Sequence, residues 1–343
     1  MSDFKIDQIT NQAGTAGPDI AGITTFSGSS GLLMPSGPTE YRGGRGRGLF
    51  AGGFVGPNTR YNTIEYITIS TQGNSLDFGD LTEEVNKGGC CASSVRGLFQ
   101  GGVKSPGNNT NTISYITISS TGNAFDFGDI SNIGNRFSGS SCSNNTRGLY
   151  GGGYNPLLQT QIDLSIISTL GNSISFGDLS VARRGISSLA SPTRGVWTGG
   201  YNQGSTDKRT IDYVTISTTG NAQDFGDLTA GRHIATSVSS STRGLTAGGF
   251  TTVLLNVIDY ITIASTGDAI DFGDLSTVRV FMAGCSNSIR GVFAGGYDPT
   301  NVSTIEFVTI ASTGNATSFG NLSIAKIQLL NGQCSDAHGG LGD

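Results

Sequence analysis

Few of the 343 residues in this chain are equipped for catalysis. Histidine is the usual proton shuttle near neutral pH, and there are two, His233 and His338. Neither stands at ligand spacing with another histidine, so both are read as structural residues of a strand or a terminal segment. No GxSxG elbow, phosphate-binding P-loop or HExxH pair occurs. The five cysteines, Cys90, Cys91, Cys142, Cys285 and Cys334, lack CxxC spacing, and their odd number argues against a disulfide framework. They all fall 12 to 15 residues after the phenylalanine of an FGD or FGN motif. That shared position reads as small buried thiols on a crowded inner strand. Asp80, Asp129, Asp178, Asp227 and Asp274 also recur at one place. A calcium site needs several oxygens that converge, so these aspartates are read as acceptors for backbone N–H groups at a crossover. No catalytic residue, cofactor or metal is expected.

The frame that positions these residues is a repeat. A short apolar run from an Arg-Gly corner to a glycine pair occurs as RGLFAGG from Arg47, RGLFQGG from Arg96, RGLYGGG from Arg147, RGVWTGG from Arg194, RGLTAGG from Arg243 and RGVFAGG from Arg290. The starts step by 49, 51, 47, 49 and 47 residues. A period near fifty with β-type runs inside it marks a propeller or related β-repeat array, because one unit alone cannot bury both of its faces. The composition, with 54 Gly, 8 Pro and 13% charged residues, suits short strands joined by turns. A net charge of −5 and pI near 5.0 disfavour general attraction to nucleic acid or anionic membrane. No apolar run approaches the roughly 20 residues that span a bilayer, and MSDFKIDQIT lacks the basic start and apolar core of a secretory signal.

Each repeat divides into four strands. In the fourth copy, VARRGISSLAS leads through Pro192-Thr193 into RGVWTGG, a variable loop, TIDYVTIS, the turn TTGN and AQDFGDL. Strand three carries apolar groups on both sides, which fits a sheet sandwiched between neighbours. The turn glycine supplies the positive φ of a tight hairpin. In an antiparallel four-stranded unit the Arg-Gly corners and TGN turns share one face. The variable loops, among them those opened by Tyr154, Tyr201 and Tyr297, occupy the other. Exposed variable loops on a rigid scaffold are where a binding site is expected. Two readings of these tyrosines stand: contact with an external ligand, or packing against the base of their own loops.

An inner strand, a second strand ending in Gly-Gly, an aromatic in strand three (Tyr66, Tyr115, Tyr213, Tyr260, Phe307) and another in strand four together resemble the kelch repeat. Strand four departs from the family's usual Trp with Phe78, Phe127, Phe176, Phe225, Phe272 and Phe319, and repeat three has Leu164 in place of the strand-three aromatic. Kelch-like oxidases hold copper with a cysteine, tyrosines and histidines, a set that two histidines do not supply. The first repeat lacks an inner strand, and LSIAKIQLLNGQCSDAHGG after the last FGN aligns with LSVARRGISSLASPTRG. The expected fold is therefore an all-β, six-bladed kelch-like β-propeller at residues 46–343, closed by a C-terminal inner strand that removes both free edges.

Residues 1–45 stand outside the repeat as an extended N-terminal segment. Their apolar positions Phe4, Ile6, Ile9, Ile20, Ile23 and Phe26 are too few for a core and cost roughly 1.5 to 3 kcal/mol each if left in water, so another protein chain is expected to cover them. FKIDQITNQAGTAGPDI resembles the attachment segment of appendage proteins in tailed phages of marine cyanobacteria, and the ITIST-GN-DFGDL repeat is similar to kelch-like repeats in their structural proteins. The resemblance implies a non-enzymatic virion component of tail, neck or capsid. It would be made in the host cytoplasm and anchored to other virion proteins or a second copy through residues 1–45. Its propeller would be displayed toward a host-surface glycan or protein. The alternatives are a free-standing carbohydrate- or protein-binding propeller and, third, an enzyme.

Overall fold

The computed structural model describes residues 46–56, 59–130, 136–203 and 208–342, together with two short strands before them. Contacts divide the chain between Arg45 and Gly46. In the first part Phe26–Ser27 pairs antiparallel with Gly31–Leu32, placing Phe26 opposite Leu32. Phe4, Ile6, Ile9, Ile20 and Ile23 lie outside the described residues.

The second part is all-β. Among the described residues its helical content is one 3-10 turn, Gly339–Leu341. In repeat four, Ser187–Ala190, Arg194–Thr198, Thr210–Thr215 and Gln223–Asp227 pair in that order, each antiparallel to the next. Repeats five and six have the same four-stranded order. Repeat one has three strands, Arg47–Ala51, Thr63–Thr68 and Leu76–Asp80. Along its Arg-Gly strand runs the segment 330–335: Leu49 N–H donates to Cys334 O at 2.9 Å, Leu330 N–H to Ala51 O at 3.2 Å, and Gly48 bridges Ser335. Asn331–Gly332 also pairs in parallel with Gly89–Cys90 of repeat two and with Ser141 of repeat three, joining those two repeats into one curled sheet.

Within the repeat sheets the inner and Arg-Gly strands are buried on both faces, and apolar residues of both faces of strand three are buried too, as the two-sided apolar pattern requires. Ile211, Val214 and Ile216 are all inside, and Trp197 is fully buried with its indole N–H on Ser140 O of repeat three (3.1 Å). Six hydrophobic clusters form the core, each built by two neighbouring repeats, and one of them joins repeat six to repeat one through Cys285, Val292 and Phe319 with Phe50, Ile67 and Ile69.

The TGN segment is not a tight hairpin. Residues 216–222 separate the third and fourth strands of repeat four, and they dock on the outer strand of repeat three through Gly220 N–H to Phe176 O (2.9 Å) and Ala222 N–H to Asp178 O (2.7 Å). The same pair of bonds recurs from Gly122 to Phe78 onward. It also joins repeat one to repeat six, as Gly73 N–H to Phe319 O and Ser75 N–H to Asn321 O, both 2.9 Å. This docking explains the FGD glycine: a Cβ on Gly79 would collide with the Gly122 carbonyl. It also corrects the reading of the repeated aspartates. Their own N–H groups donate to the turn residue's Oδ1, as Asp80 to Asn123 and Asp178 to Asn221. Among the described residues none of the five carboxylates accepts a backbone N–H, and that of Asp178 takes the Thr160 hydroxyl (2.8 Å).

The cysteines fill notches. A Cβ on Gly48, Gly97, Gly148 or Gly195, the glycine of an Arg-Gly corner, would strike the sulfur of Cys285, Cys334, Cys91 or Cys142 from the preceding inner strand. Leu189 and Val238 take that place against Gly244 and Gly291. All five thiols are free and buried, and burial pushes each of them up, Cys91 to about 12.

Candidate binding site

Each crossover from one repeat to the next inner strand places one residue at the mouth of the repeat array. These are Lys87, Ser138, Gly185, Ile234, Phe281 and Gln328, and all have φ between 51° and 63°. Five are not glycine, and such residues avoid this left-handed region unless surrounding contacts impose it. The contacts are a cycle of backbone bonds. Ser138 N–H donates to Lys87 O, Gly185 to Ser138, Ile234 to Gly185, Phe281 to Ile234, Gln328 to Phe281 and Lys87 to Gln328, at 2.6 to 3.2 Å. The residue before each ring position then pairs with the residue that opens a variable loop: Phe137 with Tyr154, Arg184 with Tyr201, His233 with Phe250 and Val280 with Tyr297.

Rings and cations alternate along part of this rim. Lys87 Nζ lies 5.7 Å from the Phe137 centroid, and Phe137 meets Tyr154 at 5.5 Å. The Arg184 guanidinium sits over Tyr154 at 5.0 Å and Tyr201 at 5.7 Å. Tyr201 is 5.7 Å from His233, which is 5.6 Å from Phe250. Lys87, Phe137, Ser138, Arg184, Tyr201 and His233 are among the residues that enclose a depression of about 360 Å³. Its floor is the ring, below which Asn331 donates to Ile186 O at 2.9 Å. Burial lowers the Lys87 ammonium below the ordinary lysine value, and repulsion from Arg184 and Arg60 lowers it further.

Of the three tyrosines singled out in the sequence, the structure brings two together. Tyr154 and Tyr201 share Arg184, but of the three Tyr201 alone lines the depression, and Tyr297 belongs to a separate short pairing with Asn301. All three are half-buried. The sequence reading passed over Lys87, Phe137 and Arg184, and read His233 as structural only. The available signal was partial: Arg184 and His233 each stand six residues after their FGD aspartate, one before the place that Lys87 takes seven residues after Asp80, while Phe137 follows Asp129 by eight.

Just beneath the rim lies a belt of buried ion pairs that the sequence reading also missed. Arg183 meets Asp212 at 2.8 Å, Arg232 meets Asp259 at 2.9 Å and Lys326 meets Glu65 at 2.7 Å. Arg136 pairs with Asp163, and Arg279 with Glu306. Burial pulls Arg183, Arg232 and Arg279 below the usual arginine value, and the facing carboxylates oppose that fall. Burial pushes Glu65 up, but Lys326, the Ser75 hydroxyl and the Ser323 N–H outweigh it and leave Glu65 below the ordinary carboxylate value. Between repeats one and two both members are replaced. Val85 stands at the cation position and Ser114 at the acid position, with the Ser114 and Thr82 hydroxyls sharing a hydrogen bond of 2.6 Å.

The opposite end is closed on itself. Each corner arginine reaches into the next repeat, as Arg194 Nη1 to Ile263 O (2.7 Å) and Arg290 Nη1 to Ser70 O (2.8 Å). Five of them also cover the strand-three aromatic of their own sheet at 4.5 to 5.0 Å. In repeat three Leu164 stands where the others have the aromatic, and Arg147 donates to Ile216 O at 2.9 Å. His338 is buried there, with Nε2 on Ala92 O (2.8 Å) and Nδ1 accepting Gly340 N–H (3.1 Å). The ring is thus held neutral with its proton on Nε2, and burial lowers its pKa to about 4.

No protein-family model matches the chain, and no curated protein matches it.

Proposed function

We propose that residues 46–342 form a closed six-bladed kelch-like propeller in a non-enzymatic virion component of a tailed cyanobacterial phage. Residues 1–45 join it to the particle, and the variable-loop face is turned outward. The observation that carries the reading is the inequality of the two ends. At one, six arginines and a buried histidine are taken up by internal contacts. At the other, where the loops differ in sequence from repeat to repeat, Lys87, Arg184, Phe137, Tyr201 and His233 line a cationic, ring-bearing depression. A rigid scaffold with one invariant end and one variable end suits display. Closure is supported by the repeat-to-repeat bonds and by the cluster that joins repeat six to repeat one.

Incorporation into purified particles tests the anchoring. The full chain is expected on the particle, and a variant lacking residues 1–41 is expected to melt at the same temperature but stay in solution. Equal incorporation of both would move the anchor to the propeller. Closure is tested by removing residues 323–343, which takes away the segment beside Arg47–Ala51. Cooperative unfolding should be lost, and a melting curve like that of the full chain would refute the lacing. The depression favours one second reading, a free-standing glycan-binding propeller. It would be distinguished by glycan binding without any incorporation.

A further inference from the structure

We infer that the mouth on the variable-loop face binds an acidic sugar residue, its carboxylate or sulfate held between Lys87 and Arg184. This deepens the reading of that face as a binding surface and rests on it. Three observations lead to the ligand class. The first is charge: among the described residues neither Lys87 nor Arg184 has a carboxylate partner, and Arg184 and Arg60 both repel the Lys87 ammonium. An anion set among these cations relieves that repulsion and makes charge-assisted hydrogen bonds.

The second is the ring geometry. Of the rings that line the depression, Tyr201 and His233 are inclined at 53°, and Phe137 and His233 are backed by Tyr154 at 61° and Phe250 at 82°, two rings outside the lining. These rings offer edges and a concave wall, not two parallel plates, so they suit a puckered pyranose and not a flat nucleobase. The third is size and polarity. About 360 Å³ lies near the lower end of ligand pockets, enough for one or two sugar units. The Tyr201 and Ser138 hydroxyls, without a hydrogen-bond partner among the described residues, are placed for sugar hydroxyls.

Titration calorimetry on the full chain tests this with a galacturonic acid disaccharide, its neutral galactose counterpart and inorganic sulfate. Lys87→Gln and Arg184→Val are the informative variants, because Gln328 and Val280 occupy the equivalent places in other repeats and should leave the fold intact. The acidic disaccharide is expected to bind, with each variant weakening it roughly tenfold or more and with added salt weakening it too. Tyr297→Ala, outside the depression, is expected to leave it unchanged. Equal affinity for the neutral disaccharide would overturn the charge readout while leaving the face a binding surface. Sulfate binding as tight as the sugar's would overturn the assignment to a sugar. Binding of no probe would overturn the inference altogether, and particle incorporation would still report separately on the proposed function.

Discussion

Arg183 and Arg184 are neighbours in the chain, and the fold treats them in opposite ways. Arg183 is fully buried, bonded to Asp212 and to Thr210 O at 2.9 Å. Arg184 is half-buried on the rim, with two tyrosine rings and no carboxylate. One residue of register decides which way each points, because successive side chains on extended backbone leave opposite faces. A buried charge must be matched inside the protein, whereas a charge at the rim can be matched from outside. The belt of paired charges is therefore architecture, while Lys87 and Arg184 above it have no carboxylate partner among the described residues.

The largest effect expected from this contrast is at Arg183. Arg183→Ala leaves Asp212 buried without its partner, a situation that costs about 3 to 5 kcal/mol, measurable as a fall in the urea midpoint. The chain itself supplies the control. Where Val85 and Ser114 stand, the pair has been replaced together within the same framework. Arg183→Val combined with Asp212→Ser should therefore recover most of the loss. If the double variant were as unstable as Arg183→Ala, the cost would lie in lost packing and not in the unpaired acid, and the belt would have to be reinterpreted.

The repeat, the strand order and the place of the cysteines were legible because they recur at constant offsets and are written in residue types. The belt was half-written. Arg183, Arg232, Arg279 and Lys326 each follow the fourth-strand Asp or Asn by five residues, but Arg136 follows Asp129 by seven, and repeat two lacks the pair altogether. A search for one conserved letter fails on such a set, although strand-three acids at matching places would have exposed it. The mouth was illegible for a different reason. Lys87, Ser138, Gly185, Ile234, Phe281 and Gln328 share a backbone conformation and a hydrogen-bond cycle, yet no chemistry. The TGN turn misled in a third way, since its glycine was taken for hairpin geometry when the segment spans to the neighbouring sheet.

His338 sharpens the comparison because it is a buried base that stays neutral. Its pKa of about 4 in the folded protein lies below the ordinary 6.5. Between those values the unfolded chain takes up a proton that the folded chain refuses. Stability is then fully present above pH 6.5 and falls as pH drops toward 4, by roughly 3 kcal/mol in all. Carboxylates add their own dependence at the acid end, so the informative quantity is the difference between wild type and His338→Gln from pH 6.5 to 5. The variant's denaturant midpoint should be flatter across that range. Parallel slopes would mean that His338 is not held neutral by Ala92 O and Gly340 N–H.

The smallest stability change is expected at Arg184, and it carries the comparison to its other side. Arg184→Val removes a rim cation and two ring contacts but strands no buried acid, so the urea midpoint should move by less than about 1 kcal/mol. The informative change is electrostatic. Lys87 is lowered first by burial and then by Arg184 and Arg60, and the variant deletes only the second of these. Its ammonium should titrate at a higher pH than in the wild type, yet still below the ordinary 10.5, when followed through the lysine side-chain resonances. Added salt should narrow the gap between the two proteins, because repulsion across a solvent-facing depression is screened. An unchanged Lys87 titration would show that the two cations do not sense one another, and the case for an anion between them would lose its first support.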